Sequence, residues 1–415
     1  MDLLIENAHL VTMQNGIQGY EAIKCGRLSI KSGKIAAVSS KPLGEDTPDV
    51  EALLEPSQFC QTLDLQGKLV TPGLIDCHTH LIYAGNRAHE FEMRLKGSSY
   101  QEIARQGGGI LSTVRDTRRA SQEQLVEIAL PRLDGLLASG VTSVEIKSGY
   151  GLTLKDEIKM LRAAKALENE RRVKVSPTLL AAHALPPEYQ HRSDDYIQYI
   201  CQEMIPLVAE EKLATSVDVF CESIGFTLEQ TERIFIAAHE HGLGVKGHNE
   251  QLSNMGGAAL TAKYNGLSAD HIEHLDEQGV LALAHSSTVA TLLPGAFYYL
   301  NETQKPPIAL LREHQVPIAI ATDHNPGTSP FADLTLMMNM ACTLFHLTPE
   351  EVLRGVTQHA AKALGFETKR GKIEAGFEAD LTLWDITHPA DLSYQFGPKR
   401  LIGRIVDGEY TLHRE

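Results

Sequence analysis

The chain is poor in cysteine, and none of its cysteines is paired by spacing. Cys25, Cys60, Cys77, Cys201, Cys221 and Cys342 are the six in 415 residues. No Cys-x-x-Cys occurs, which argues against a disulfide framework or a zinc ribbon and for buried free thiols. Long apolar runs are missing too. None approaches the ~20 residues needed to span a membrane. Met1 to Met13 carries Asp2, Glu6 and Asn7 where a secretory signal would have a basic segment and an apolar block, so the expected place is the cytoplasm. Positive charge is in deficit: 38 Lys+Arg face 53 Asp+Glu, a formal charge of −15. That balance opposes nonspecific binding to nucleic acid and to anionic membranes, since both need a basic surface. No glycine-rich phosphate loop follows an early strand. Gly107-Gly108-Gly109 stands apart from any predicted strand and reads as a flexible loop, a candidate lid.

What is present suits a large folded core, with 43% hydrophobic residues. Length alone suggests two or three domains, although α/β barrels exceed that prior as one domain. The middle of the chain alternates apolar strands with helices. Eight strands are predicted at Leu69–Asp76, Thr142–Lys147, Lys174–Ala182, Ser216–Glu222, Leu243–Gly247, Leu267–Ile272, Thr288–Pro294 and Val316–Thr322. Helices are predicted between them, at Leu154–Glu168, Ser193–Glu211, Leu228–His241 and Pro306–His314. This alternation implies a parallel sheet, and eight units fit an α/β fold of the closed (β/α)8 TIM barrel type. A doubly wound open sheet is the alternative, and it calls for the phosphate loop that is absent. The two ends read as short strands and turns. Among them are Leu3–Ile5, His9–Met13, Arg27–Ile30, Lys34–Val38, a turn at Asn15-Gly16 and a final hairpin around Asp407-Gly408. Lys41–Pro56 reads as an exposed loop. Each end is too small for its own core. Residues 1–67 and 365–415 are therefore expected to pair into one composite β-sandwich domain, with the barrel, 68–364, inserted between them.

The chemistry is expected at the strand ends. The first predicted strand leads into Cys77-His78-Thr79-His80, and residues two apart on an extended segment face one side. His78 and His80 can therefore offer two imidazoles to one metal ion. A lone His-x-His is weak, because most short motifs of this kind are structural. Other strand ends reinforce it. The fifth ends in Gly247-His248-Asn249-Glu250-Gln251, the sixth in Asp270-His271-Ile272-Glu273-His274, and the eighth in Thr322-Asp323-His324-Asn325-Pro326-Gly327-Thr328. In a barrel all these ends converge on the catalytic face. Imidazoles with a carboxylate suit zinc and also iron. His78, His80, His248 and Asp323 would form such a site.

This constellation resembles the amidohydrolase superfamily of metal-dependent hydrolases. Two longer runs are more discriminating: Glu145-Ile146-Lys147-Ser148-Gly149-Tyr150-Gly151 and Asp323-His324-Asn325-Pro326-Gly327-Thr328. With Pro72–His80, Thr178–His183 and His248–Gln251 they are similar to the imidazolonepropionase family, in the family's order and through the whole barrel. The resemblance implies hydrolysis of a ring amide in 4-imidazolone-5-propanoate, a small substrate with a carboxylate tail. It implies one Zn2+ or Fe3+ per subunit, held by His78, His80, His248 and Asp323, and a homodimer. It puts Arg87, Tyr150, His183, Gln251, Asn325, Gly327 and Thr328 on substrate-contacting positions. Asn249 departs from the family, where a smaller residue is usual.

Roles follow from the chemistry. Asp323 would take a proton from water and pass it to the leaving ring nitrogen. His271 would polarise the carbonyl, or else only orient its neighbours. Glu250 would serve the site through a hydrogen bond. Arg87 offers a planar clamp for the tail carboxylate, with Tyr150 adding a hydroxyl donor. Many amidohydrolases bridge two metals with a carbamylated lysine at the end of strand four. Lys147 ends strand two, so one metal is expected, with Lys147 paired to a neighbouring acid. Two other readings compete. A nucleobase deaminase would share the metal site but read a flat ring, and a non-catalytic assembly protein of the superfamily would have lost ligands that are present here.

Overall fold

The computed structural model describes residues 2–14, 19–20, 22–42, 44–98, 102, 107–398 and 400–412. The turn expected at Asn15-Gly16 lies outside them. The chain enters through β1 (Leu3–Val11), β2 (Ala22–Lys31), β3 (Lys34–Ser39), β4 (Gln61–Asp64) and β5 (Leu69–Pro72). Eight barrel strands follow: β6 (Leu74–Asp76), β7 (Val141–Lys147), β8 (Lys174–Ala182), β9 (Ser216–Cys221), β10 (Gly244–Asn249), β11 (Ser268–His271), β12 (Val289–Leu292) and β13 (Ile318–Ile320). Each pairs in parallel with the next in chain order.

The first and last barrel strands close the ring just past their ends. Thr79 bridges His324 in parallel, Asp323 N donates to His78 O at 3.0 Å, and His80 N donates to His324 O at 2.8 Å. Asp76 adds a side-chain clasp, accepting from Thr322 N at 3.1 Å and Thr322 Oγ1 at 2.6 Å. The fold is thus the expected closed (β/α)8 barrel. Its strands are buried on both faces, as β7 shows at every residue, because helices cover the outside. Capping boxes at Ser121 and Thr227 start the helices Gln122–Ala138 and Leu228–Glu240. The helix expected over Ser193–Glu211 is present but changes pitch. It runs α over Ser193–Tyr199, π over Ile200–Met204 and α again over Ile205–Glu210. Pro206 cannot donate to the carbonyl four residues back, and the wider turn beside it absorbs that loss.

The ends join into the expected second β unit. With β14 (Leu381–Trp384), β15 (Leu401–Val406) and β16 (Glu409–Leu412), they form a mixed sheet in the order β16-β15-β14-β5-β1-β2-β3. β4 and β5 both run parallel to β1, one beside each half of it. Leu3, Ile5, Leu28, Ile30, Leu381, Leu383 and Ile405 form its core. The hairpin at Asp407-Gly408 is there.

Most strands differ from expectation by a few residues at their ends, and three places differ in kind. Leu3–Ile5 and His9–Met13 merge into one strand, with a register shift beside Asn7, whose φ is +50°. Part of the Lys41–Pro56 loop is helical, over Pro48–Leu53. The strand expected over Leu69–Asp76 is two strands in two sheets. The break falls at Gly73, where any side chain would land on Thr142 and where the amide donates to Asp380 O at 2.8 Å. Strand propensity runs straight across this point, and only tertiary contact divides it.

Candidate active site

The ring closure brings the two histidine motifs together. His78 Nε2 lies 3.4 Å and His80 Nε2 3.3 Å from Asp323 Oδ1. His248 reaches the same place from β10, its ring centroid 4.5 Å from that of His78. His271 follows from β11, 5.4 Å from the His248 ring. Two overlapping groups can hold an ion: His78, His80 and Asp323, and His78, His248 and His271. All five side chains are buried. The fit to a metal is visible in the orphaned atoms. His78 Nε2 and His248 Nε2 are buried without a hydrogen-bond partner. Such orphans are costly unless something binds them.

Two aspartates aim these rings. Asp270 Oδ2 lies 2.7 Å from His78 Nδ1, and Asp218 Oδ2 lies 3.1 Å from His248 Nδ1. A carboxylate behind Nδ1 leaves Nε2 as the free, electron-rich nitrogen, the usual arrangement behind a metal-binding imidazole. Asp218 carries no sign of function in the sequence, and Asp270 stands in the sixth strand-end run without any sign there that it backs His78. Lys147 ends β7 as expected and is indeed paired with acids: Asp218 Oδ2 at 2.7 Å and Glu145 Oε1 at 2.9 Å. Lys246 joins them, 3.0 Å from Glu145 Oε1.

Burial dominates the electrostatics. It holds His78, His80 and His183 well below the usual imidazole range and pushes His271 down to about 3. Those rings are neutral at physiological pH, as ligands and neutral donors must be. Burial also raises Asp323 above the usual carboxylate range. Burial would depress Lys147, but Asp218, Glu145 and Asp270 outweigh it and keep the ammonium charged. Backbone strain gathers here as well. Glu250, His271, Ile272 and Asp323 all have positive φ, at 51°, 79°, 64° and 51°. For a β-branched residue such as Ile272 this is an outlier, and such outliers cluster at functional sites.

A cavity of about 180 Å³ opens beside the cluster. His80, His248, His271 and Asp323 line it together with Arg87, Tyr150, His183, Gln251, Asn325, Gly327 and Thr328. The expected substrate-contacting residues are therefore gathered in one place. Ile110 and Phe220 line it too, and sequence reading missed both. Each looks like an ordinary core residue along the chain. Glu250 does not line the cavity. Its carboxylate accepts from Gly257 N at 2.7 Å and Ala258 N at 2.9 Å, at the start of the helix Gly257–Lys263. The turn at Asn325 is also engaged internally, since Asn325 Oδ1 accepts from the Gly327 and Thr328 amides, each at 2.8 Å. Glu90 links two parts of the rim, accepting from Arg87 Nε at 2.8 Å and from Gly109 N at 3.0 Å. Arg115 Nη2 donates to Gly107 O at 2.6 Å, so the glycine segment is tied at both ends.

A closed barrel with a composite β unit and a buried His/Asp cluster at the strand ends defines a class of metal-dependent hydrolase. Residues 69–410 match the amidohydrolase family, and the chain belongs to it, within the imidazolonepropionases. It is 73% identical over 413 residues to the imidazolonepropionase of Vibrio parahaemolyticus, covering 100% of this chain and 99% of the relative. The imidazolonepropionase of Vibrio cholerae is 66% identical over 411 residues, covering 99% of each chain. That of Aliivibrio salmonicida is 58% identical over 415 residues, again covering 99% of each. Among solved structures, the 5-methylcytosine deaminase from Klebsiella pneumoniae superposes with a TM-score of 0.73 at 17% identity, over 99% of this chain and 98% of its own. A zinc-bound adenosine deaminase from Xanthomonas campestris gives 0.70 at 19% identity, over 99% and 93%. These two share the fold. No helix among the described residues is long and apolar enough to cross a membrane.

Proposed function

We propose that this chain hydrolyses the ring amide of 4-imidazolone-5-propanoate to N-formimidoyl-L-glutamate, as a step of histidine degradation. We infer one Zn2+ or Fe3+ per subunit, a cytoplasmic location and a homodimer. The observation that carries the reading is the meeting of an Arg/Tyr carboxylate clamp with the His/Asp cluster across one small cavity.

His78, His80, His248 and Asp323 would hold the metal. When bound there, such an ion supplies Lewis acidity and makes water nucleophilic near neutral pH. A second ion bridged by a carbamate on Lys147 is disfavoured, because a further negative charge would sit among Glu145, Asp218 and Asp270.

Arg87 and Tyr150 bind the propionate tail and orient the ring. Gln251, His183 and the Asn325–Thr328 turn shape the rest of the cavity. Asp323 accepts the proton of the attacking water as the new C–O bond forms. His271, neutral, donates to the carbonyl oxygen as negative charge develops on it. The ring C–N bond then breaks. Asp323 returns the proton to the departing nitrogen, so one water is consumed and no proton is left over. Glu250 acts at one remove, holding the helix after β10 and with it the loop that carries Gln251.

The test is a direct choice between substrates. Metal-loaded protein should consume freshly made 4-imidazolone-5-propanoate and yield a product one water heavier by mass spectrometry. It should release no ammonia from purines or pyrimidines. Deamination of a nucleobase with the imidazolone left intact would reverse the reading in favour of a deaminase.

A further inference from the structure

Lys147 is a fully buried ammonium that the proposed chemistry does not use. It lies 2.7 Å from Asp218 Oδ2, 2.9 Å from Glu145 Oε1 and 3.8 Å from Asp270 Oδ2. All four side chains are fully buried. The two aspartate oxygens are the same ones that face the histidines: Asp218 Oδ2 faces His248 Nδ1, and Asp270 Oδ2 faces His78 Nδ1. Asp218 Oδ2 thus sits between lysine and imidazole in direct contact with both, while Asp270 Oδ2 touches its imidazole and lies within charge range of Lys147, a field it shares with Lys246. Lys147, Asp218 and Asp270 come from the second, fourth and sixth barrel strands, and alternate strands share a layer in such barrels.

We propose that Lys147 is a positioning residue of the metal centre: its ammonium anchors Asp218 by direct contact and supports Asp270 by its charge, and the two aspartates keep the ring proton on Nδ1 of His248 and His78 and turn both Nε2 atoms toward one ion. A buried carboxylate without a cation is costly and would turn away or recruit another partner. An anchored one holds its imidazole in a single tautomer and orientation. Residues that orient metal ligands in this way contribute about 10- to 100-fold to metal affinity. The proposal rests on the reading of His78 and His248 as ligands.

The test separates affinity from folding. Zinc dissociation constants are measured by competition with a chromophoric chelator, and melting temperatures are measured on the metal-free proteins. Lys147→Met should weaken zinc binding by about 10- to 100-fold, and Asp218→Asn should do the same. A lysine that only packs would lower the melting temperature of Lys147→Met and leave its zinc dissociation constant unchanged, and that result overturns the proposal. Where Lys147→Met does not fold, nitrogen NMR of 15N-histidine in metal-free wild-type protein decides. Protons on Nδ1 of His78 and His248 support the anchored geometry, and protons on Nε2 overturn it. Failure of the ligand reading looks different: His78→Ala and His248→Ala would then bind zinc like the wild type.

Discussion

Gly327 offers the most revealing substitution in the cavity. A methyl there would fall on the Arg87 guanidinium, 3.1 Å from Cζ, with Asn325 Oδ1 next at 3.5 Å. Gly327 is not among the glycines with positive φ, so alanine brings no backbone strain. The end of the Arg87 side chain is the part that yields, although Glu90 holds its Nε at 2.8 Å. Gly327→Ala therefore displaces Arg87 without changing any charge. A charge-assisted hydrogen bond from Arg87 to the substrate tail is worth about 1.5–3 kcal/mol, which is about 10- to 150-fold in kcat/KM. The tail does not react, so the loss should fall mainly on KM, with kcat little changed. Arg87→Ala should show the same pattern. The double variant should be little worse than either single one, because both remove the same contact. Steady-state kinetics on the three variants reads this out. Wild-type kinetics in Gly327→Ala, or a fall in kcat at constant KM, would refute the role of Arg87 as the tail clamp.

Three further outcomes are expected. Asp323→Asn should abolish turnover, and near-normal turnover would remove Asp323 as the proton carrier. Glu250→Ala should cost about 1–2 kcal/mol of stability in urea unfolding, because its carboxylate caps the amides of Gly257 and Ala258. Lost turnover at unchanged stability would instead give Glu250 a direct part in the chemistry. Burial pushes His324 down from 6.5 to about 4. Below pH 6.5 the unfolded chain takes up a proton that this ring refuses, so its stabilising contribution is complete above that pH and is lost as pH falls toward 4. Metal-free protein should lose about 2 kcal/mol through this ring between pH 7 and pH 5, and His324→Gln should make that part of the profile shallower by that amount, leaving the slope that the other buried histidines contribute.

Much of the site was readable along the chain because barrel chemistry sits at strand ends. His78, His80, His248, His271 and Asp323 each stand where an apolar run stops, and the residue type is informative there. Their supports were not readable. Asp218 and Lys246 lie inside apolar strands, where a lone charge carries no local pattern, and Asp270, though part of a strand-end run, has nothing beside it in sequence to tie it to His78. Only closure of the ring brings Asp270 to His78, 192 residues away in sequence. Phe220 and Ile110 look like core residues until the cavity wall is seen. The fold shows the same limit. Alternation of strand and helix foretold eight barrel strands. It could not show that Leu69–Pro72 leaves for the other sheet, because the cause is Thr142 packed against Gly73. Glu250 is the counterpart: its place in a conspicuous motif suggested chemistry, while its carboxylate is spent on two helix amides.

Everything in the site points to ring opening by water at the amide carbon. It is tested most directly by turnover of 4-imidazolone-5-propanoate in 18O-enriched water, with the product analysed by fragment mass spectrometry. The product should be N-formimidoyl-L-glutamate carrying one 18O atom in the carboxylate formed from the ring carbonyl. Label in the formimidoyl group, or an intact ring after incubation with metal-loaded protein, would contradict it.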